Sequence, residues 1–348
     1  MSDLWIESVP NISEGRNRTI IDAIVDAARG FDDSAVLSAE PDADYNRTVI
    51  TIAGSPDSVL EATISLIGKA AELIDMRQHE GAHPRMGAVD VCPFVPLSEG
   101  SHEACMRSVN SVLAEFGDTL PIYLYGDAAT SEGRRSLAKL RRGEFEGLRD
   151  RLNEGDWADE ETRMPDRWSG AWGEREQRFG AMAVGVRPVL VAYNINVNET
   201  EPVASKAAAS LIRSTGRLVK GPNGQKLRIY GMLDKVQGMG VSIPSHGISQ
   251  VSMNLQDVYT TPMHKAYEAV KSVCADLGVE VCGSELVGLV PLAAMLESGR
   301  WYHLDPDAAS DDELVSSAVA GLGLDRLEQF DAYSSIIEWS LNRNLGGD

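Results

Sequence analysis

The sequence predicts an α+β protein of two ferredoxin-like (βαββαβ) subdomains, with the sheets facing each other and the helices outside. Three observations lead there. Strand-like alternation and helix-like spacing of apolar residues follow one another in the order strand, helix, strand, strand, helix, strand. That order recurs in the second half, although no strong residue-level repeat accompanies it. The 348 residues, 43% of them hydrophobic, are also too many for one small domain and enough for two medium ones. A βαββαβ unit makes an antiparallel sheet with both helices on one face, so each copy leaves a bare face. Apposing two bare faces buries them, and a groove left there is a place for a ligand. The expected subdomains are residues 1–188 and 189–340.

Leu4 to Val9 reads as a strand, and Pro10 to Gly15 as turn chemistry. From Asn17 to Ala28, Ile20, Ile21, Ile24 and Val25 recur at helical spacing. Ala35 to Ala39 is a second strand, and Asp42-Ala43-Asp44 turns the chain into Arg47 to Ala53, where alternation marks a third. A helix is expected from Pro56, whose ring is tolerated in a first turn, to Ile74. Ala88 to Phe94 closes the unit as a strand. His102 to Phe116 (helix), Pro121 to Tyr125 (strand) and short Arg-rich turns extend it. Between Asn153 and Phe179 the chain is polar, rich in Trp and without period, which predicts a long surface loop. The second half offers strand Met182 to Val197, helix Glu201 to Arg213, strands Leu227 to Met232 and Ile248 to Asn254, helix Pro262 to Leu277 and strand Glu280 to Val287. A helical region begins at Pro291 and includes Glu313 to Leu322.

Thirty-two basic against 52 acidic residues give a net charge of −20, which disfavours nucleic acid and anionic membrane surfaces as partners. The four cysteines, Cys92, Cys105, Cys274 and Cys282, have neither metal-ligand nor disulfide-framework spacing, which points to a reducing compartment. No basic-apolar leader and no membrane-length apolar run is visible, so a soluble cytoplasmic protein is expected. The Asn-x-Ser/Thr triplets at Asn11, Asn17, Asn46 and Asn198 are then not glycan sites. A homodimer is the base-rate expectation for assembly.

Chemistry concentrates in the stretch His79-Glu80-Gly81-Ala82-His83-Pro84-Arg85-Met86-Gly87-Ala88-Val89-Asp90 through Phe94, where two imidazoles, two acidic residues, an arginine and two glycines crowd a connection on an otherwise apolar scaffold. Residues 79 to 83 match H-E-x-x-H, the zinc-hydrolase pattern, but that pattern works only on a helix. Gly81 weakens a helix there and Pro84 pushes His83 out of the α region, so no metal is expected. His83 reads as a general acid or base, or as a surface or capping histidine; the surrounding glycines, which allow close approach to a ligand, favour the first. Cys92 could be a nucleophile paired with it, but a Cys in an apolar strand is more often core. Arg47, following Asn46 at the head of a strand, fits bidentate recognition of a carboxylate and equally a solvated strand end. Ser13-Glu14-Gly15 before a helix fits an anion-binding N-terminus or ordinary capping. Tyr193 to Asn196 and Gln250 to Asn254 alternate polar and apolar residues, and their polar rows could bind a heterocycle or face water. No complete nucleotide-binding glycine motif occurs.

Several segments together resemble the glutamate formimidoyltransferase family, the formiminotransferase half of formiminotransferase-cyclodeaminase. They are Val9 to Gly15, Asn46 to Val49, His83-Pro84-Arg85-Met86-Gly87-Ala88 through Phe94, Tyr123 to Gly126, Ala192 to Asn196, Gln250 to Asn254 and Gly283 to Leu292. The resemblance implies transfer of a formimino group from N-formimino-L-glutamate to N5 of tetrahydrofolate, in histidine breakdown. It implies a two-subdomain fold with a tunnel between the subdomains, no metal, and His83 as catalytic acid/base. Asn11, Glu40, Asn46, Arg47, Arg85 and Gly87 would bind the formimino substrate; Glu40 stands where mammalian members carry Asp. Folate would meet Ala171, Trp172, Gly173, Phe179 and Gly180, in a loop more charged and longer than the family's. Tetrahydrofolate enters as co-substrate, and the product would go to a separate cyclodeaminase. Related transfers, from formiminoglycine or a formyl donor, and a folate-binding protein without catalysis are the rival readings.

Overall fold

The computed structural model describes residues 4–153, 155, 157 and 159–346. The chain divides into two compact units, Met1–Arg187 with Leu341–Asp348, and Pro188–Ser340.

The first unit runs β1 (Ile6–Ser8), β2 (Asn11–Ile12), α1 (Arg18–Ala27), β3 (Ser34–Asp42), β4 (Arg47–Gly54), α2 (Pro56–Leu73), β5 (Val89–Pro96), α3 (His102–Phe116), β6 (Ile122–Gly126), α4 (Leu137–Leu140), α5 (Glu144–Leu152), α6 (Glu160–Arg163), α7 (Glu174–Phe179) and β7 (Met182–Val186). The first ferredoxin-like strand is interrupted between β1 and β2 at Pro10, which has no N–H to give. Both pieces still pair with β4 on one side and β5 on the other. With β3 outside β4, this is the antiparallel ferredoxin-like sheet. β7 and then β6 extend it in parallel beyond β5. Alternation sends Ile12, Ile50, Ile52 and Phe94 into one core with Ile21 and Ile24 of α1, Leu66 of α2 and Val109 of α3. Asn17 caps α1, its Oδ1 accepting from the Thr19 and Ile20 N–H groups. On the opposite face, beyond β5, Val91, Tyr123 and Ala183 pack on Leu140 and Leu148 of α4 and α5.

Of the long loop expected between Asn153 and Phe179, residues 154, 156 and 158 lie outside the described residues, and from 159 onward the chain is instead a tied-down segment. It holds α6 and α7, and Thr162, Glu176 and Phe179 are buried. Polar contacts hold it: the Asp166 carboxylate pairs with Arg134 at 2.6 Å and accepts from the Leu124 N–H at 2.7 Å. Such contacts leave no hydrophobic period to read.

The second unit contains β8 (Val191–Val197), α8 (Val203–Ile212), β9 (Arg217–Lys220), β10 (Lys226–Ile229), β11 (Val236–Ile243), β12 (Ile248–Leu255), α9 (Met263–Asp276), β13 (Val281–Val287), α10 (Leu292–Tyr302), α11 (Asp311–Leu322), α12 (Ala332–Ser335) and α13 (Ile337–Asn344), the last crossing the division at Leu341. Its four-stranded antiparallel sheet has the order β11-β12-β8-β13, again ferredoxin-like. Two expectations need correction. Met182 to Val197 is not one strand: it breaks at Arg187-Pro188 into β7 and β8, one in each unit. Leu227 to Met232 is not the second sheet strand either, because β10 pairs with β9 in a separate ribbon. β11 takes that place, hidden in the sequence by Gly238-Met239-Gly240. At Gly240 any Cβ would strike the Ser205 and Lys206 backbone of α8, so the glycine that weakens the strand signal lets the helix dock.

Candidate active site

The polar groups of the first unit gather on the sheet face away from α1, α2 and α3. Because Ile50 and Ile52 of β4 point into the core, Arg47, Val49 and Thr51 point the other way; Ile12 and Asn11 divide likewise. The connection from α2 to β5 brings His79 and His83 to this face. There they line a tight crevice with Ser13, Asn46, Arg47 and Asp90. No helix runs through residues 79–88, so the two histidines do not share a helical face as zinc would require. Among the described residues no group of three or more His, Cys, Asp or Glu is placed to hold a metal ion.

Asn46, left-handed at φ 49°, fastens the crevice. Its Oδ1 accepts from the Gly15 N–H at 2.9 Å, its Nδ2 donates to the Glu80 carbonyl at 3.0 Å, and its carbonyl accepts from His79 Nε2 at 2.8 Å. His79 therefore carries its proton on Nε2, and its Nδ1 accepts from Arg85 Nε at 3.1 Å. Burial holds its pKa below the ordinary histidine value.

His83 is half-buried, and Arg47 Nη1 lies 2.9 Å from its Nε2. A guanidinium only donates, so Nε2 presents its lone pair and the proton sits on Nδ1, against the Pro84 backbone. Burial first, then the cations Arg47 and Arg141, push the imidazole down to about 4. It is a neutral ring at physiological pH. Tyr45 lies beside both partners, its ring 5.8 Å from the imidazole and 5.9 Å from the guanidinium.

The three arginines around this ring differ in their partners. Arg85, which the sequence offers as a substrate ligand, is buried and already engaged: Glu146 takes it bidentately at 2.8 and 2.6 Å, and Glu144 at 3.2 Å. The Glu146 bonds raise its pKa. Arg141 is ion-paired with buried Asp90, whose other oxygen accepts from the Met86 N–H at 2.8 Å. Among the described residues Arg47 alone of the three has no carboxylate partner, and its Nε is buried without an acceptor. Burial and neighbouring Arg141 hold its pKa below the arginine value.

Gly87 and Gly180 cross backbone to backbone, bridged at the start of β5. A Cβ on Gly87 would strike the Phe179 and Ala181 carbonyls, and Gly180, at φ 79°, abuts the Met86 carbonyl. Phe179 is 2% exposed and belongs to the core. Phe179 and Gly180 thus stand behind the histidine loop. Ala171 is exposed, Trp172 packs against the cluster around Tyr123 and borders a cleft of about 370 Å³, and the Gly173 N–H is held by Glu176. Asn11 is buried on the crevice side of β2 and donates to the Val9 carbonyl, while Glu40 lies exposed opposite Val49. In the second unit Gln250 donates to Asn196 and Glu285 at 2.8 and 2.6 Å, on the sheet face away from Tyr193 and Val251.

Sequence reasoning missed Tyr45, Arg141, Glu144 and Glu146, which meet the loop only through the fold. Asp90, the one carboxylate in an otherwise apolar strand, lies within the stretch the sequence singles out, but its pairing with Arg141 comes only from the fold. Cys92 points into the helix-side core, with Ser8 Oγ at 3.8 Å, and burial pushes its thiol up to about 12. Cys92→Ser is expected to keep kcat within about twofold and to cost about 1–2 kcal/mol of stability; a large loss of turnover in folded protein would make the thiol a participant.

Two family models match the chain: the N-terminal subdomain of the formiminotransferase domain over residues 5–187, and the formiminotransferase domain over residues 192–342. A Gallus gallus protein named formimidoyltransferase-cyclodeaminase is 39% identical over 96% of this chain and 59% of its own length. The chain thus spans about three fifths of such relatives. Proteins named glutamate formimidoyltransferase are 36% identical in Streptococcus pyogenes serotype M1, over 91% of this chain and 99% of theirs, and 36% identical in Thermoplasma acidophilum, over 85% and 91%. With both halves matched in order and the histidine loop inside the first, the chain belongs to the formiminotransferase family.

Proposed function

We propose that the protein transfers the formimino group of N-formimino-L-glutamate to N5 of tetrahydrofolate, releasing L-glutamate and 5-formiminotetrahydrofolate. The observation that carries the reading is the juxtaposition of a neutral His83 with Arg47, a half-buried cation with no carboxylate partner among the described residues. A desolvated guanidinium in that state suits an anionic ligand, and formiminoglutamate is a dicarboxylate. The relatives named glutamate formimidoyltransferase support the same donor and reaction.

In this reading N5 attacks the amidine carbon and a C–N bond forms. His83 Nε2 takes the N5 proton, then delivers it to the glutamate nitrogen as the original C–N bond breaks. One imidazole serves both steps because the proton it removes is the proton it returns. Arg47 anchors a substrate carboxylate, Asn46 and Gly87 shape the backbone beside the amidine, and Asn11 and Glu40 border the donor side. Arg85, saturated by Glu144 and Glu146, keeps His79 and the loop in place. Ala171, Trp172 and Gly173 are the proposed folate contacts, with Phe179 and Gly180 fixing the end of that segment. The product would be consumed by a cyclodeaminase, an activity that the Gallus gallus relative's name joins to the transferase.

The test is to mix purified protein and tetrahydrofolate with N-formimino-L-glutamate, formiminoglycine and a formyl donor in parallel, and to follow the folate product by mass. Formimino transfer from the glutamate derivative is the expected result. Transfer from another donor alone would reassign the substrate, and tetrahydrofolate binding without any transfer would favour a binding protein.

A further inference from the structure

We infer that Arg47 caps the catalytic base in the empty enzyme and that a substrate carboxylate uncaps it. The inference rests on the reading of His83 as the base. Its structural ground is that one guanidinium performs two incompatible tasks. Arg47 Nη1 sits on His83 Nε2 at 2.9 Å, the only imidazole nitrogen with a lone pair, since Nδ1 is turned to the Pro84 backbone. Both ring nitrogens are therefore engaged, and no lone pair is left to take a proton from N5.

The cap is held weakly. A neutral nitrogen is a poorer acceptor for a guanidinium than a carboxylate, which brings an opposite charge and two oxygens that take two parallel N–H bonds. The neighbouring anions raise the Arg47 pKa but are not in ion-pair contact with it: Asp90 is taken by Arg141, and Asp42 of β3 turns Oδ1 to the Asp44 and Tyr45 N–H groups. Arg85 and His79 are engaged with each other and with Glu144 and Glu146. Arriving dicarboxylate thus finds Arg47 as the local guanidinium open to a bidentate pair. Drawing it over frees Nε2 and replaces a cation beside the ring with a neutralised pair. A solvent-exposed base is thereby absent until the donor is bound.

The experiment is NMR of the full chain labelled with ¹⁵N-histidine, with the His83 ring assigned by His83→Gln, and glutarate as the probe. In the wild-type protein glutarate should move His83 Nε2 toward the position of an unbonded lone-pair nitrogen and raise the ring pKa by about one unit or more, the scale on which a nearby charge acts. Arg47→Met should show the moved Nε2 resonance without glutarate and should no longer respond to it. Wild-type ring resonances indifferent to saturating glutarate, or an Arg47→Met ring identical to wild type, would overturn the inference. The readout needs no turnover. A protein that passes it yet transfers nothing from formiminoglutamate would refute the proposed reaction and leave the cap standing.

Discussion

His83→Ala should lower kcat for formimino transfer by about 10²–10⁴-fold, the range that one positioned acid/base supplies, while the affinity for tetrahydrofolate stays within about twofold. The two halves of the expectation come from different parts of the molecule. The imidazole is half-buried in a crevice whose walls, Asn46, His79 and Arg85, are bonded to one another and not to His83, so its removal leaves them in place. The proposed folate contacts lie on another segment. Steady-state kinetics with equilibrium binding on the same preparation checks both, and unchanged kcat would remove His83 from the mechanism. The ring's lowered pKa also has a sign in stability. Between its ordinary value of 6.5 and about 4, the unfolded chain binds a proton that the folded chain refuses, so this group's contribution to stability falls as pH falls through that window. Substituting His83 with Gln should flatten that part of the stability profile, which denaturant titrations across the window would show.

Much of the candidate crevice is legible in the sequence, and what is not has physical causes. His83, Asn46 and Arg47 stand out because polar groups cluster beside apolar, periodic strands; α1, α2, α3 and β4 follow from the same periodicity. Arg85 was visible as a candidate site arginine, but its commitment to Glu144 and Glu146 was not, since 59 and 61 residues and the left-handed Gly143-Glu144 turn separate the partners along the chain. β11 escaped because its glycines answer to a packed helix and not to strand propensity. The segment after α5 escaped because a buried cation organises it, and buried cations leave no periodic trace.

That cation is Arg151, and Arg151→Ala is expected to cost about 3–5 kcal/mol, the scale on which breaking a buried charged network acts. Its side chain is fully buried. Nε donates to the Arg163 carbonyl at 3.0 Å, Nη1 to the Leu140 carbonyl at 2.7 Å, and Nη2 to the Thr162 carbonyl. The guanidinium carbon lies 4.2 Å from the Tyr123 ring centre and 4.7 Å from that of Trp157, so among the described residues the charge is dispersed over carbonyl dipoles and two π faces. Truncation leaves the Leu140 and Thr162 carbonyls without this buried partner, each a penalty of about 1–3 kcal/mol, while the Arg163 carbonyl keeps the Tyr123 hydroxyl at 2.9 Å. Arg151→Lys should recover only part of the loss, because an ammonium is a point donor and cannot hold carbonyls of α4 and α6 in one plane. Nη1 also lies 4.0 Å from Met86 Sδ, so the damage should reach the histidine loop. Because a chain of two units need not unfold in one step, the measurement is hydrogen exchange by segment. Residues 159–167 and 83–88 should lose protection while β8, β12 and β13 keep theirs. Full protection of both segments in Arg151→Ala would show that this buried guanidinium holds nothing together.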